Sequence, residues 1–117
     1  MTEEIWLKAY PENIEWNQTF DVKPLWAILD DAVRRFPNND VIDFLGKTYT
    51  YAEIGHQVDR AAAGFQRLGV GKGTKVGLFL PNCPQFIISY FGILKAGGTV
   101  VNYSPLYSEQ ELLHQIE

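Results

Sequence analysis

The sequence predicts an α/β fold in which a β-hairpin and a parallel βαβ unit are flanked by helices and the sheet is incomplete. A strand, a helix, a strand and a helix follow one another from Lys75 to Glu117, and strands in that order nearly always pair in parallel. Two short strand-like runs flank Gly46 and Lys47, which predicts a tight hairpin. Because a parallel sheet is normally covered on both faces, we expect this chain to be the front of a larger domain.

Residues 1–23 are predicted to form an N-terminal aromatic arm. The segment has no regular hydrophobic period, but it carries Trp6, Tyr10, Trp16 and Phe20. Large rings need a surface to pack against. Two arrangements are open: the arm packs on its own domain, or it reaches a second subunit and forms a dimer.

Residues 24–117 are predicted to form one continuous portion of a domain, since no repeat, low-complexity tract or flexible linker divides them. An amphipathic helix begins at Pro24, with the proline in its first turn. Thr50 and Glu53 form a capping box that opens a second helix, which ends at Gly69. The other expected elements are hairpin strands at 41–45 and 48–50, parallel strands at 75–80 and 99–101, a buried helix at 84–96, and a last helix opened by the capping box of Ser108 and Glu111.

Composition and charge argue against several classes of function. The formal net charge is −4 and the pI is near 5.1, whereas a nucleic-acid-binding domain normally carries a basic patch. The apolar helix predicted at 84–96 is shorter than the roughly 20 residues that cross a bilayer, and the acidic start of the chain is unlike a signal peptide. We therefore expect no nucleic-acid partner, no transmembrane segment and a cytoplasmic location. The single cysteine, Cys83, allows no internal disulfide.

The glycine-rich run from Gly69 to Thr74 looks like a phosphate-binding loop, but its position argues against one. Phosphate loops follow a strand and open a helix, so that the first amides of the helix point at the anion. Here a helix precedes the run and a strand follows it. We interpret Gly69 as a left-handed helix cap and the rest of the run as a turn.

No pattern of residues predicts catalytic or metal chemistry in this chain. Cys83 lies where a helix dipole can activate a thiol, but no base is recognisable beside it. His56 and His114 are isolated and do not form a pair with metal-ligand spacing. Lys95 lies near the end of the buried helix, and we interpret it as a complement to the helix dipole.

Five segments, in this order and at this spacing, resemble the N-terminal part of the AMP-forming acyl-CoA synthetases of the adenylate-forming superfamily. They are TYTYAEI (48–54), GVGKGTKVGL (69–78), LPNCPQF (80–86), GILKAGG (92–98) and NYSPLY (102–107). The opening WLKAYP (6–11) and the NYSPLY segment are also similar to bacterial long-chain fatty-acid CoA ligases in particular. The family usually has Asp where Thr74 stands and often Glu where Gln85 stands, which we interpret as small structural changes.

The resemblance implies the N-terminal part of a three-layer adenylate-forming domain. It implies a parent enzyme that uses ATP, Mg²⁺ and CoA to convert a fatty acid to acyl-CoA, AMP and pyrophosphate. The phosphate-binding loop, the ribose-binding acid and the adenylation lysine of that family have no counterpart in these 117 residues. We therefore expect the chain alone to be inactive, to have no catalytic or metal-binding residue, and to bind none of these cofactors.

The loop that follows the second parallel strand contains the candidate site residues. Ligands of open α/β sheets bind beyond the carboxyl ends of the strands. In related ligases this neighbourhood lies near the entrance for the nucleotide and pantetheine parts of CoA. The candidates for contact with CoA are Asn102, Tyr103, Ser104 and Tyr107. The alternative is a loop that only packs against the next part of the sheet.

Other functions stay open on the sequence alone. The chain could be a stand-alone dimerisation or binding module derived from a synthetase, and a stop codon directly after Glu117 would favour that reading. The parent could also be an aryl-CoA ligase, a luciferase-like oxidase or the adenylation domain of a peptide synthetase, all of which share this N-terminal pattern. An incomplete sheet exposes strand edges, so we expect a homo-oligomer formed through a bare edge or through the arm.

Overall fold

The computed structural model describes residues 4–117 and shows an α/β architecture with two separate two-stranded sheets. One sheet is an antiparallel hairpin and the other is a parallel pair. Four α-helices and a short 3₁₀ helix accompany these sheets in the described part of the chain. The elements are a 3₁₀ helix Ile5–Ala9, α1 Leu25–Arg35, β1 Asp40–Phe44, β2 Lys47–Thr50, α2 Tyr51–Arg67, β3 Lys75–Leu78, α3 Pro84–Lys95, β4 Thr99–Asn102 and α4 Glu109–Ile116.

The parallel pair confirms the predicted βαβ order. Lys75 pairs with Thr99 and Leu78 with Asn102, and α3 connects the two strands. β3 ends at Leu78, two residues earlier than expected, and β4 continues to Asn102, one residue further than expected. The outer edge of each strand is unpaired among residues 4–117.

The hairpin is present, but its turn is one residue earlier than the sequence predicted. Leu45 (φ 52°) and Gly46 (φ 83°) are the two turn residues, and Phe44 pairs directly with Lys47. Two successive positive φ angles define a type I′ turn, whose twist matches that of the flanking strands. Leu45 therefore belongs to the turn and Lys47 to β2. Asp43 is exposed, as predicted.

The core lies where α2 packs against α3, with α1 and the hairpin beside them. Ile54 and Val58 of α2 and Ile93 of α3 are all 0% exposed. α2 and α3 approach closely because Gly92 has no β-carbon: one built there would lie 2.9 Å from the Cβ of Ala61. The apolar stripe of α2 is thus covered by the helix of the βαβ unit.

Both predicted capping boxes are confirmed. The Glu53 N–H donates to Thr50 Oγ1 at 3.2 Å, and the Thr50 N–H donates to Glu53 Oε2 at 2.8 Å. The same reciprocal pair opens α4. The prediction that Pro24 lies in the first turn of α1 was wrong. Pro24 is extended (φ −60°, ψ 144°) and precedes the first helical residue, Leu25.

The aromatic arm carries large rings that are partly exposed. Its described part contains one short 3₁₀ helix and no α-helix or strand. Trp6, Trp16 and Phe20 have 56%, 52% and 78% of their surface exposed. The arm therefore presents apolar rings at the surface.

Candidate functional site

The glycine-rich turn has the geometry of a connection between a helix and a strand. Gly69 (φ 92°) ends α2, and Gly73 (φ 87°) lies directly before Thr74 and β3. The Gly71 N–H donates to Thr74 Oγ1 at 3.2 Å, which confirms that threonine can hydrogen-bond in this turn. No helix starts from these amides, and the next helix, α3, begins beyond β3. The turn therefore lacks the arrangement of a phosphate loop.

Cys83 precedes α3 and lies half-buried beside a hollow of about 290 Å³ between that helix and β1. The side chains that line this hollow are mainly apolar, and Asp43 is their one ionisable member besides the thiol itself. A nucleophilic thiol is activated by a neighbouring histidine or cation, and the lining contains no histidine, lysine or arginine. Nor do the residues from 4 to 117 contain a cluster of three acidic, histidine or cysteine residues that could hold a metal.

The loop after β4 is held by three hydrogen bonds. The Tyr103 N–H donates to the Leu78 carbonyl of β3 at 2.9 Å, so the parallel pairing continues one step into the loop. The Ser104 Oγ accepts the Leu106 N–H at 3.2 Å, and the Ser104 carbonyl accepts the Tyr107 N–H at 3.1 Å. The loop is thus a compact turn directly beyond the carboxyl ends of both parallel strands.

The four predicted site residues lie within this one turn, but they differ in exposure. Asn102 and Tyr107 are exposed, whereas Tyr103 and Ser104 are half-buried. The amide and the phenol can exchange hydrogen bonds with a phosphate or an amide of a ligand. The segment from Asn102 to Tyr107 contains no acid, histidine or lysine. Such a loop is suited to binding, and it lacks the histidine, carboxylate and lysine groups that most often act as general acids and bases.

Lys95 is the residue whose role the sequence missed. Its Nζ lies 2.6 Å from Asp30 Oδ1 on α1 and 2.6 Å from Asp59 Oδ1 on α2, so it bridges two other helices. Burial lowers the pKa of Lys95, but the hydrogen bonds to both carboxylates outweigh burial and raise it. The earlier interpretation as a helix-dipole complement is therefore incomplete. One sequence signal was available, since Lys95 is the only charged residue of the apolar α3.

Known proteins match both the sequence and the fold. Residues 29–117 match the profile of the AMP-binding enzyme family. The long-chain-fatty-acid–CoA ligase of Bacillus subtilis is 44% identical over 95% of this chain and 20% of its own length. 4-Coumarate–CoA ligase 3 of Oryza sativa subsp. japonica is 43% identical over 62% of this chain and 13% of its own length.

The solved N-terminal subdomain of NpsA from Klebsiella oxytoca, in complex with anthranilyl-AMSN, superposes with a TM-score of 0.76. It is 25% identical, and the match covers 79% of this chain and 24% of that one. This likeness agrees with the predicted α/β class. The chain spans about a fifth or less of the length of the two ligases that it matches. The family profile covers most of the chain, and the chain therefore belongs to the AMP-binding enzyme family.

Proposed function

We propose that this chain supplies the N-terminal part of the adenylate-forming domain of a long-chain fatty-acid CoA ligase. The observation that carries the proposal is the 44% identity to the Bacillus subtilis ligase over 95% of this chain. The opening segment and the loop after β4, which resemble this class of ligase, both lie within residues 4–117. ATP and CoA are abundant in the cytoplasm, which is where the proposal places the protein.

The proposed reaction has two steps. A carboxylate oxygen of the fatty acid attacks the α-phosphorus of ATP, a C–O–P linkage forms, and pyrophosphate leaves. The CoA thiol then releases its proton to solvent and its sulfur attacks the acyl carbon, so that the thioester forms, the acyl C–O bond breaks and AMP leaves. The parent enzyme uses ATP, Mg²⁺ and CoA in this proposal. No cluster in the described residues fits Mg²⁺, so we assign no step through the metal to this chain.

The role proposed for the loop after β4 is contact with CoA. It lies beyond the carboxyl ends of β3 and β4, where open α/β sheets bind ligands. Its exposed polar groups suit the amides and phosphates of CoA, and its lack of acids avoids repelling an anionic ligand. Asn102 and Tyr107 are the exposed candidates, and Tyr103 and Ser104 hold the turn together.

The main test compares the polypeptide of the whole reading frame with the 117-residue chain. Palmitate-dependent ATP–pyrophosphate exchange reports the first step, and palmitoyl-CoA formation reports both steps. We expect both activities in the whole polypeptide and neither in the 117-residue chain, which has no counterpart of the ATP-binding elements. AMP release by the chain alone would overturn its expected inactivity. If the whole polypeptide shows no pyrophosphate exchange that depends on any added fatty acid, the proposed function is overturned.

A second test addresses the loop. In the active whole polypeptide, we expect Tyr107→Ala to raise the KM for CoA about tenfold, which corresponds to loss of about 1.4 kcal/mol of binding. Pyrophosphate exchange should stay unchanged, because it does not involve CoA. Leu106→Ala is the matched control, since Leu106 lies in the same loop and is 90% exposed. An equal effect of both substitutions would contradict specific contact by Tyr107.

An aryl-CoA ligase is the second candidate, favoured by the 43% identity to the rice 4-coumarate–CoA ligase over 62% of this chain. Exchange assays with palmitate and with 4-coumarate, side by side, distinguish the two acids. Faster exchange with 4-coumarate would replace the fatty-acid proposal. A reading frame that ends at Glu117 would instead favour the non-catalytic module.

A further inference from the structure

Gly77 of β3 lies directly against the aromatic ring of Tyr103. A β-carbon built on Gly77 would be 2.5 Å from Tyr103 Cε2 and 3.2 Å from Cδ2. Distances below about 3 Å are not tolerated between carbon atoms, so any side chain at this position would have to displace the ring. The ring thus occupies the space that the missing side chain leaves free.

The backbone gives no other reason for glycine at this position. Gly77 is not among the residues with a positive φ, so alanine could adopt its strand conformation without strain. It pairs with Val101 of β4, and Tyr103 follows Val101 by two residues. Side chains two residues apart point to the same face of a strand, which brings the ring of Tyr103 back over β3.

This contact holds the start of the loop proposed to bind CoA. Two restraints act on Tyr103: its N–H donates to the Leu78 carbonyl at 2.9 Å, and its ring rests on Gly77. The next residue, Ser104, accepts hydrogen bonds from the backbone N–H groups of Leu106 and Tyr107 and thereby shapes the whole turn. A ring displaced from β3 therefore shifts the residues that follow it.

We infer that Gly77 is a positioning residue for CoA binding: its missing side chain seats the Tyr103 ring on β3 and so sets the position of the loop from Asn102 to Tyr107. The inference rests on the proposed function of that loop. Gly77 itself touches no ligand in this scheme. It acts only through Tyr103, and the obstructing atoms belong to a ring that can move, so the fold tolerates the substitution while the loop does not keep its place.

The test uses Gly77→Ala in the whole active polypeptide. We expect the KM for CoA to rise about fivefold to tenfold, while palmitate-dependent pyrophosphate exchange stays within about twofold of wild type. Gly64→Ala is the matched control, because a β-carbon on Gly64 meets nothing within 4 Å. It should leave the KM for CoA unchanged. A Gly77→Ala enzyme with the wild-type KM for CoA overturns the inference.

A double-mutant cycle with Tyr103→Ala separates positioning from a general loss of structure. Without the ring, alanine at position 77 has nothing to displace, so Gly77→Ala should add no further rise in the KM for CoA in that background. An additive rise overturns the inference.

Limited chymotrypsin cleavage of the loop reports the contact without any activity, and Gly77→Ala should be cut faster than wild type. Unchanged cleavage overturns the positioning role. If Gly77→Ala is cut faster but the wild-type polypeptide forms no thioester, the contact between Gly77 and Tyr103 stands and the proposed function is overturned.

Discussion

The ammonium nitrogen of Lys95 lies 2.6 Å from Oδ1 of Asp30, although 65 positions separate the two residues in the chain. The same nitrogen lies 2.6 Å from Oδ1 of Asp59 and 5.9 Å from the centre of the Trp26 ring. One cation therefore joins α1, α2 and α3 at a point where 22% of its own side chain is exposed. Because both carboxylates share one cation, the two ion pairs form at the conformational entropy cost of ordering only one lysine side chain.

Replacing this cation should destabilise the helix assembly. We expect Lys95→Met to lower the free energy of unfolding by about 1–2 kcal/mol, because it leaves two carboxylates facing each other without a partner, although both are partly exposed and screened. Urea denaturation of the 117-residue chain measures the change. Lys72→Met is the control, since Lys72 is exposed and has no ion pair among residues 4–117, and it should change stability by less than about 0.5 kcal/mol.

The raised pKa of Lys95 determines how this destabilisation depends on pH. The folded-state pKa of Lys95 is raised above its ordinary 10.5, so its stabilising contribution is present at neutral pH and is lost as the pH rises above 10.5. The stability difference between wild type and Lys95→Met should therefore shrink above that pH. Equal destabilisation by the Lys95 and Lys72 substitutions would contradict a specific role for the bridge.

The elements that the sequence predicted correctly are set by local chemistry. Thr50 with Glu53, and Ser108 with Glu111, each satisfy amides within one helical turn, so four residues are enough to locate a helix start. Gly69 ends α2 in the left-handed conformation that glycine adopts without strain. The parallel pairing followed from the order of strand, helix and strand.

The features that the sequence missed depend on contacts between distant segments. Nothing near Lys95 in the chain indicates Asp30 or Asp59, because the three residues meet only when three helices pack. The contact between Gly77 and Tyr103 likewise needs the strand register, which places residues 26 positions apart on one face. The position of the loop after β4 was predictable, whereas the half-buried state of Tyr103 and Ser104 was not.

The hairpin turn offers a stabilising substitution. Leu45 adopts φ 52°, which is unfavourable for a bulky residue, and its side chain is 91% exposed, so little packing compensates for the strain. Asn-Gly is the preferred pair for a type I′ turn, and we expect Leu45→Asn to raise the free energy of unfolding by about 0.5–1 kcal/mol. Thermal unfolding of the chain measures it.

Leu68→Asn is the control for this substitution. Leu68 is 82% exposed but has an ordinary right-handed helical backbone (φ −80°), so the same chemical change should not stabilise the chain there. If Leu45→Asn left the unfolding temperature unchanged, the strain assigned to Leu45 would be refuted.

The cap of α4 should depend on pH. The backbone N–H of Ser108 donates to Glu111 Oε2 at 2.7 Å, and this bond, together with the Ser108 hydroxyl, lowers the pKa of Glu111 below its ordinary 4.5. A lowered pKa means that the cap is complete above pH 4.5 and is lost as the pH falls through the folded-state value. The NMR shift of the Ser108 amide proton should follow this titration, with a midpoint below 4.5.

Two neighbouring substitutions test the assignment of that titration. Glu111→Gln keeps a carbonyl oxygen for the cap but cannot titrate, so the Ser108 amide shift should become independent of pH in this range. Glu109→Gln removes another carboxylate of the same first turn and should leave the titration in place. A titration that persists in Glu111→Gln would assign the proton to a different group.

The exposed arm and the open strand edges should make the 117-residue chain self-associate. Phe20 is 78% exposed and Val22 is fully exposed, and the outer edges of β3 and β4 have no partner strand among residues 4–117. Apolar patches and unpaired edges both favour pairing with a second copy. Light scattering should show a mass above that of the monomer that grows with concentration.

A substitution in the arm tests whether self-association depends on its exposed rings or on the open strand edges. Phe20→Ser should shift association to higher concentration if the rings form the contact, whereas Thr19→Ser, at the neighbouring exposed position, should not. Association that is insensitive to Phe20→Ser would contradict a contact made through the Phe20 ring, because the strand edges and the other rings of the arm are unchanged by the substitution. A monomer that persists at high protein concentration in the wild-type chain would contradict both contacts, since each follows from surface that the described residues leave uncovered.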